Sequence, residues 1–337
     1  MFQKEDIVVE SGKVREYLYH IDTRQFGGRR LNSAFCFNLN DVSVLIDLGT
    51  SEEVKKVVRY FKKNNIPLSS FKYLVPSQYH FDHAGGLWKF YDIASKENSE
   101  LKILTNERNK GFLNNYEWHM ERGKSTYGEF VGEMRSIPDK AFKIIIPITD
   151  FDNYLNEKNL HHLTDYNGDK YYLLVFDTPG HTPDHQCPAI LKNDKIDFIY
   201  FGEACGTMYH SSKLVTLPTS MPPVFNYKQY MSTLENLLKL EANSCGFGHF
   251  GFINKKENVK TLLLDQKSLM KEYRSKIIEL YNQKPETRYI VEHMKDYFAK
   301  RSDMLETDHP TLTNLFVALI FGMLMDLGYR EDGSSFK

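Results

Sequence analysis

Gln78-Tyr79-His80-Phe81-Asp82-His83-Ala84-Gly85-Gly86 is the stretch that decides how this 337-residue chain is read. It follows the run Phe71 to Val75, whose β-branched and aromatic residues read as a strand, and Ser77 begins a loop. Two imidazoles and a carboxylate crowded between His80 and His83 make poor core material, because each would need its own buried polar partner. A loop at a strand end aims all of them at one spot. Imidazole nitrogen suits zinc and iron, and the carboxylate adds negative charge and a proton acceptor, so the stretch points to a metal site.

Three more stretches repeat the arrangement of strand, turn and polar residue. Thr178-Pro179-Gly180-His181-Thr182-Pro183-Asp184-His185 follows the apolar run YYLLVF, and Phe198-Ile199-Tyr200-Phe201-Gly202-Glu203 puts an acid at the tip of another β run. Gly246-Phe247-Gly248-His249-Phe250-Gly251 flanks a histidine with glycines. Each is weak by itself, since a glutamate after a strand is usually solvated and a glycine-flanked histidine is often a turn residue.

Around these stretches the chain alternates. IVVE, REYLYHI, SAFCFNL and VSVLIDLG, between Ile7 and Val75, read as a β-meander. Ser51 to Lys63 reads as an amphipathic helix with Ser51 as N-cap and Val54, Val57, Val58 and Phe61 on one face. From Leu87 to about Asp139 the pattern is helical, and Phe112, Tyr116, Trp118 and Tyr127 either cover a cleft or pack internally. FKIIIPI, YYLLVF, CPAILK and DFIYFG form a second β-rich half from Ala141 to Phe201. From Val259 onward the period is helical, ending in an apolar helix that starts near Pro310. The division expected is a catalytic domain over 1–257, with a helical insert around 87–139, and a helical region over 258–337.

Bulk properties narrow the function. With 43 Lys and Arg against 44 Asp and Glu there is no basic field to attract nucleic acid, and no nucleic-acid or membrane partner is expected. The start carries charges where a secretory signal would be apolar, and Leu315 to Met325 falls short of the roughly 20 apolar residues that a bilayer requires, so a cytoplasmic protein is expected. Cys36, Cys187, Cys205 and Cys245 form no short-spaced pair and read as reduced, buried thiols.

Together the four polar stretches resemble the metallo-β-lactamase superfamily, whose pattern is His-x-His-x-Asp-His, then His, an acid and His, each at a strand end. Positions 181 and 203 are 22 apart and 203 and 249 are 46 apart, similar to lactonase-type members, and LIDLG at Leu45 to Gly49 resembles the family's aspartate and glycine before its first long helix. The resemblance runs from about Ile7 to Phe252. It implies an α/β fold, a four-layer αββα sandwich, with a C-terminal helical extension. It also implies two divalent metal ions per chain, zinc first, with iron or manganese as alternatives. Gln78, His80 and His181 would hold one, Asp82, His83 and His249 the other, and Glu203 would bridge them. A bridging hydroxide would then cleave an ester, thioester, lactone or phosphoester of a small molecule, with Asp82 orienting it or carrying its proton.

Two departures matter: Gln78 stands where the family has its first histidine, and Glu203 where it has a bridging aspartate. A glutamine carbonyl oxygen is a weaker ligand for zinc than imidazole. His185 is assigned a supporting role, Tyr209 and His210 a place at the substrate oxyanion, and Cys205 the part of a small buried hydrophobe. His20, His119, His161, His162, His293 and His309 show no partner pattern and are taken as surface or packing residues. A diiron redox protein is one alternative, opposed by His80 where such relatives carry a glutamate; a non-catalytic sensor that has lost one metal is another. The C-terminal helices are expected to form a helical subdomain or to cover the sandwich or the seam of a homodimer.

Overall fold

The computed structural model describes residues 3–208, 213–301 and 310–332. In chain order, β1 (Ile7–Val8), β2 (Gly12–Arg15), β3 (Leu18–Asp22), β4 (Ser33–Leu39) and β5 (Val42–Ile46) precede α1 (Val54–Lys63) and β6 (Phe71–Val75). Then come the four-residue α2 (Phe81–Ala84), α3 (Leu87–Ala94), β7 (Lys102–Thr105), α4 (Glu107–Asn114) and α5 (Glu117–Tyr127). The second half holds β8 (Phe142–Ile144), β9 (His161–Tyr166), β10 (Asp169–Asp177), β11 (Gln186–Lys192) and β12 (Lys195–Tyr200). It continues through α6 (Tyr227–Leu237), β13 (Ser244–Gly246), β14 (Phe252–Asn254), α7 (Lys256–Gln283), α8 (Thr287–Ala299) and α9 (Pro310–Asp326).

The strands form two seven-stranded sheets, one in the order β2-β3-β4-β5-β6-β7-β8 and the other β1-β14-β13-β12-β11-β10-β9. Period-two alternation sorts their side chains into layers. Phe35 and Phe37 of β4, Val44 and Ile46 of β5, and Tyr171, Leu173 and Val175 of β10 meet between the sheets. Their sequence neighbours face outward: Ala34, Cys36 and Leu45 pack with Val54, Val57, Phe61 and Phe90 of α1 and α3, while Leu174 and Phe176 pack toward the C-terminal helices. This is the four-layer αββα sandwich that the resemblance implied.

Several local expectations are corrected. α1 starts at Val54, because Glu53 turns its carboxylate back to accept from the Thr50 N–H at 2.9 Å, and Ser51 is used elsewhere, accepting from the Glu133 N–H at 2.8 Å. The stretch read as wholly helical contains β7, four residues too few to show a period, which pairs in parallel with β6 and β8. His161 and His162 lie on β9, paired with β10. The C-terminal helices share one apolar cluster with the second sheet, in which Ile199 and Cys245 meet Leu262, Met270, Ile290, Phe316 and Ile320. The four cysteines are free and buried. Among the described residues, no helix is long and apolar enough to cross a membrane.

Candidate metal centre

Parallel pairing brings the polar stretches together. β5 and β6 run side by side, so Asp47, just past β5, sits beside the loop that leaves β6 and accepts from both the Ser77 N–H and the Ser77 hydroxyl at 2.7 Å. Asp47 adopts a left-handed φ of 52°, which short polar side chains tolerate better than most residues. In the other sheet β12 and β13 are parallel neighbours, with Tyr200 opposite Gly246, so the Glu203 and His249 turns leave the same edge. The turn between β10 and β11 supplies His181 at that edge. Gly248 is required here by space, since a Cβ would come within 2.4 Å of the His83 ring.

Two groups of ligand-type side chains result. His80, His181 and Glu203 present donor atoms within 4.8 Å of one another, and so do Asp82, His83 and His249. Glu203 touches both groups: its Oε2 is 2.7 Å from His181 Nε2 and 3.4 Å from His83 Nε2. Gln78 donates from Nε2 to the same oxygen at 2.7 Å, and its own carbonyl Oε1 is buried with no hydrogen-bond partner. All seven predicted ligand residues therefore converge on one place.

The hydrogen bonds also fix which ring nitrogen of each histidine turns toward the site. His83 Nδ1 lies 2.7 Å from the Asp47 carboxylate, and its buried Nε2 has no hydrogen-bond partner. His249 Nδ1 pairs with the Leu31 carbonyl, which can only accept. His181 Nδ1 faces the Thr219 carbonyl at 2.8 Å and the Thr219 hydroxyl at 2.7 Å; that hydroxyl gives its proton to Glu203 Oε1 at 2.8 Å, so His181 Nδ1 must donate. In three histidines Nδ1 is thus committed to a fixed partner, which leaves Nε2 as the nitrogen turned toward the site.

Electrostatics follow from this crowding. Burial opposes ionisation of Glu203, but His181 and His83 outweigh it and hold the carboxyl well below its usual range. Asp82 is lowered in the same way, burial being overcome by His83 and His249. On His83 burial works against a charge, yet Asp82 and Asp47 raise it well above an ordinary histidine. His80 is driven well below by burial and then by His181 and His119.

The sequence reading missed three supports. His119, taken as a surface or packing residue, is half-buried, stacks on His80 at 13° with centroids 5.2 Å apart, and accepts from the Phe81 N–H at 3.0 Å; desolvation pushes it down to about 4. Thr219 ties His181 to Glu203, and Tyr200 donates to Asp47 across the two sheets at 2.7 Å. None shows in a linear pattern, because each is joined to the site only by the fold. His185 does take a supporting place: its Nδ1 lies 2.8 Å from the Thr178 hydroxyl and its Nε2 accepts from the Glu203 N–H at 3.2 Å. Tyr209, His210 and His309 lie outside the described residues. Cys205 is buried, and burial raises its thiol well above the usual range. A cavity of about 690 Å³ opens onto His80, Asp82, Glu203 and His249.

Comparison with known proteins gives a consistent picture. No family model matches the chain. A metallo-β-lactamase fold-containing protein, ST1585 of Sulfurisphaera tokodaii, is 24% identical over 225 residues, 66% of this chain and 75% of that protein. Its crystal structure, described as that of an archaeal metallo-β-lactamase superfamily protein, superposes with a TM-score of 0.58 and 18% identity over 92% of this chain and 98% of that one. At 92% coverage the likeness reaches into the C-terminal helices, beyond the Phe252 limit expected from sequence. A B3 metallo-β-lactamase with an active-site glutamic acid gives a TM-score of 0.52 at 11% identity, covering 78% and 89%.

Proposed function

We propose that this chain, a protein of the metallo-β-lactamase fold, is a metal-dependent hydrolase that holds two divalent ions between Gln78, His80, Asp82, His83, His181, Glu203 and His249. One observation carries this reading. His181, whose Nδ1 donates to Thr219, faces the Glu203 carboxylate through Nε2 at 2.7 Å. Either a proton or a metal cation must lie between those two atoms. The buried, unpartnered Gln78 Oε1 and His83 Nε2 fit the same requirement, so the donor set suits a metal.

His80, His181 and Glu203, with Gln78 Oε1, would hold one ion, and Asp82, His83 and His249 the other, with Glu203 shared. Bound there, two cations would supply Lewis acidity and lower the pKa of water toward neutrality. The chain's own residues do the rest. Asp47 and Thr219 fix the orientation of His83 and His181, and His185 holds the backbone of Glu203. Asp82, on the cavity wall and a carboxylate at neutral pH, would accept a proton and pass it to a leaving group. The reaction class is cleavage of an ester, thioester, lactone or phosphoester of a small molecule.

The test is metal content of the purified protein together with hydrolysis of a panel of such substrates, set beside His181→Ala. Bound metal and turnover that are both lost in the variant support the reading. Equal activity in the two proteins overturns it.

A further inference from the structure

The apolar helix α9 has a use that its sequence did not disclose. Phe316, Leu319, Ile320, Met323 and Leu324 are packed in the core, whereas Leu315, Ala318 and Phe321 line the cavity over the ligand groups. The facing wall is α5, with Trp118, Arg122 and Tyr127. The helices are tied across the cavity: Arg122 forms an ion pair with Asp332 just beyond α9, and Asn314 donates to the Thr126 carbonyl at 3.1 Å. Arg122 is paired there, and it is the only Lys or Arg among the cavity's described lining residues, so the walls away from the ligand groups are largely apolar. At about 690 Å³ the space is that of a site for a sizeable organic ligand rather than for water and a small acyl group.

Where this apolar wall meets the ligands stands His119. Its Nε2 accepts from the Phe81 N–H, so in the neutral ring the proton is on Nδ1. Among the described residues no acceptor pairs with Nδ1, and His119 lines the cavity. The site therefore offers His119 Nδ1 as a polar donor at the base of an apolar channel, with the buried, unpartnered Gln25 Nε2 also on the cavity lining.

Resting on the hydrolase reading, we infer that the substrate is a carboxylic ester, thioester or lactone with an extended apolar group, seated between α5 and α9, whose carbonyl or adjoining polar atom accepts from His119 Nδ1. The subsite is built jointly by the helical insert and the C-terminal region.

The experiment has two arms. In the first, the full-length, metal-stripped protein carrying Trp88→Phe, which leaves Trp118 as its indole reporter, is titrated with 2-alkanones from pentanone to undecanone, uncleavable probes with the same head and a growing tail. Affinity is expected to rise about three- to fourfold per methylene until the channel is filled. Ala318→Phe should flatten that rise, and His119→Phe should weaken all members by about tenfold without changing the slope. In the second arm, the zinc-loaded wild type is assayed on p-nitrophenyl esters from acetate to decanoate, with kcat/KM expected to follow the same slope. Length-dependent binding without hydrolysis would keep the apolar subsite and remove the hydrolase reading. Hydrolysis with no dependence on length in either arm would overturn the inference alone, and failure of both arms would overturn both.

Discussion

The two halves of the candidate metal centre are built differently. In the half made by Asp82, His83 and His249, the central histidine leans on a carboxylate, Asp47, which also accepts from Ser77 and Tyr200, so two sheets and a strand-end loop are locked onto one charged group. In the half made by His80, His181 and Glu203, the histidine leans on the neutral Thr219, and the position beside it is filled by the neutral Gln78. A charged hydrogen bond behind a ligand raises its basicity more than a neutral one does. The lesson is that a centre legible as one constellation in sequence can have two unequally supported halves, which as metal sites would differ in strength according to what stands behind each ligand.

Breaking either half at its histidine is the coarsest way to probe this contrast. His83→Ala and His181→Ala should each lower kcat/KM by on the order of a thousandfold. Metal titration should separate them, since His83→Ala should lose the tightly held ion and His181→Ala the loosely held one.

The next effect concerns the loop of the weaker half. Burial pushes the Asp184 carboxyl, which Asn109 contacts at 2.7 Å, up to about 6. The group's folded pKa thus exceeds its unfolded value, and its contribution is full below about pH 4 and lost as pH rises through 6, worth up to about 3 kcal/mol. Denaturant melts between pH 4 and 7 should show this slope in the wild type and not in Asp184→Asn.

Weakening the support of the stronger half tests it more finely. Asp47→Asn should lower the affinity of the Asp82, His83 and His249 site by about 10- to 100-fold while the other site changes less. Equal losses at both sites would mean that the halves are not independent. The mildest change sharpens the comparison from the other side: Gln78→His should raise the affinity of the weaker site by roughly tenfold, bringing the two ions closer in strength. Calorimetric zinc titration reads both.

The same division explains what was legible beforehand. The ligands stood out because polar residues at the ends of apolar runs break the pattern around them, and the layers came with the family resemblance that those ligands carried. His119, Thr219 and Asp47's partner Tyr200 were invisible as parts of the site, since nothing in a linear pattern says which distant helix or strand will return to it. Ser51 misled as an N-cap because a buried glutamate at position 53 supplied the turn instead. β7 was hidden by its four-residue length. Of α9, apolar all round, the sequence told only that it is buried, and packing decided which side faces the core and which the cavity.

The central claim is most directly measured by anomalous diffraction from crystals of the zinc-loaded protein. Two peaks about 3.5–4 Å apart are expected, one bounded by Gln78, His80, His181 and Glu203 and the other by Asp82, His83, Glu203 and His249, with the second at higher occupancy. No peak among these side chains, with His181 Nε2 still against the Glu203 carboxylate, would mean that a proton rather than a metal holds them together, and would contradict the account.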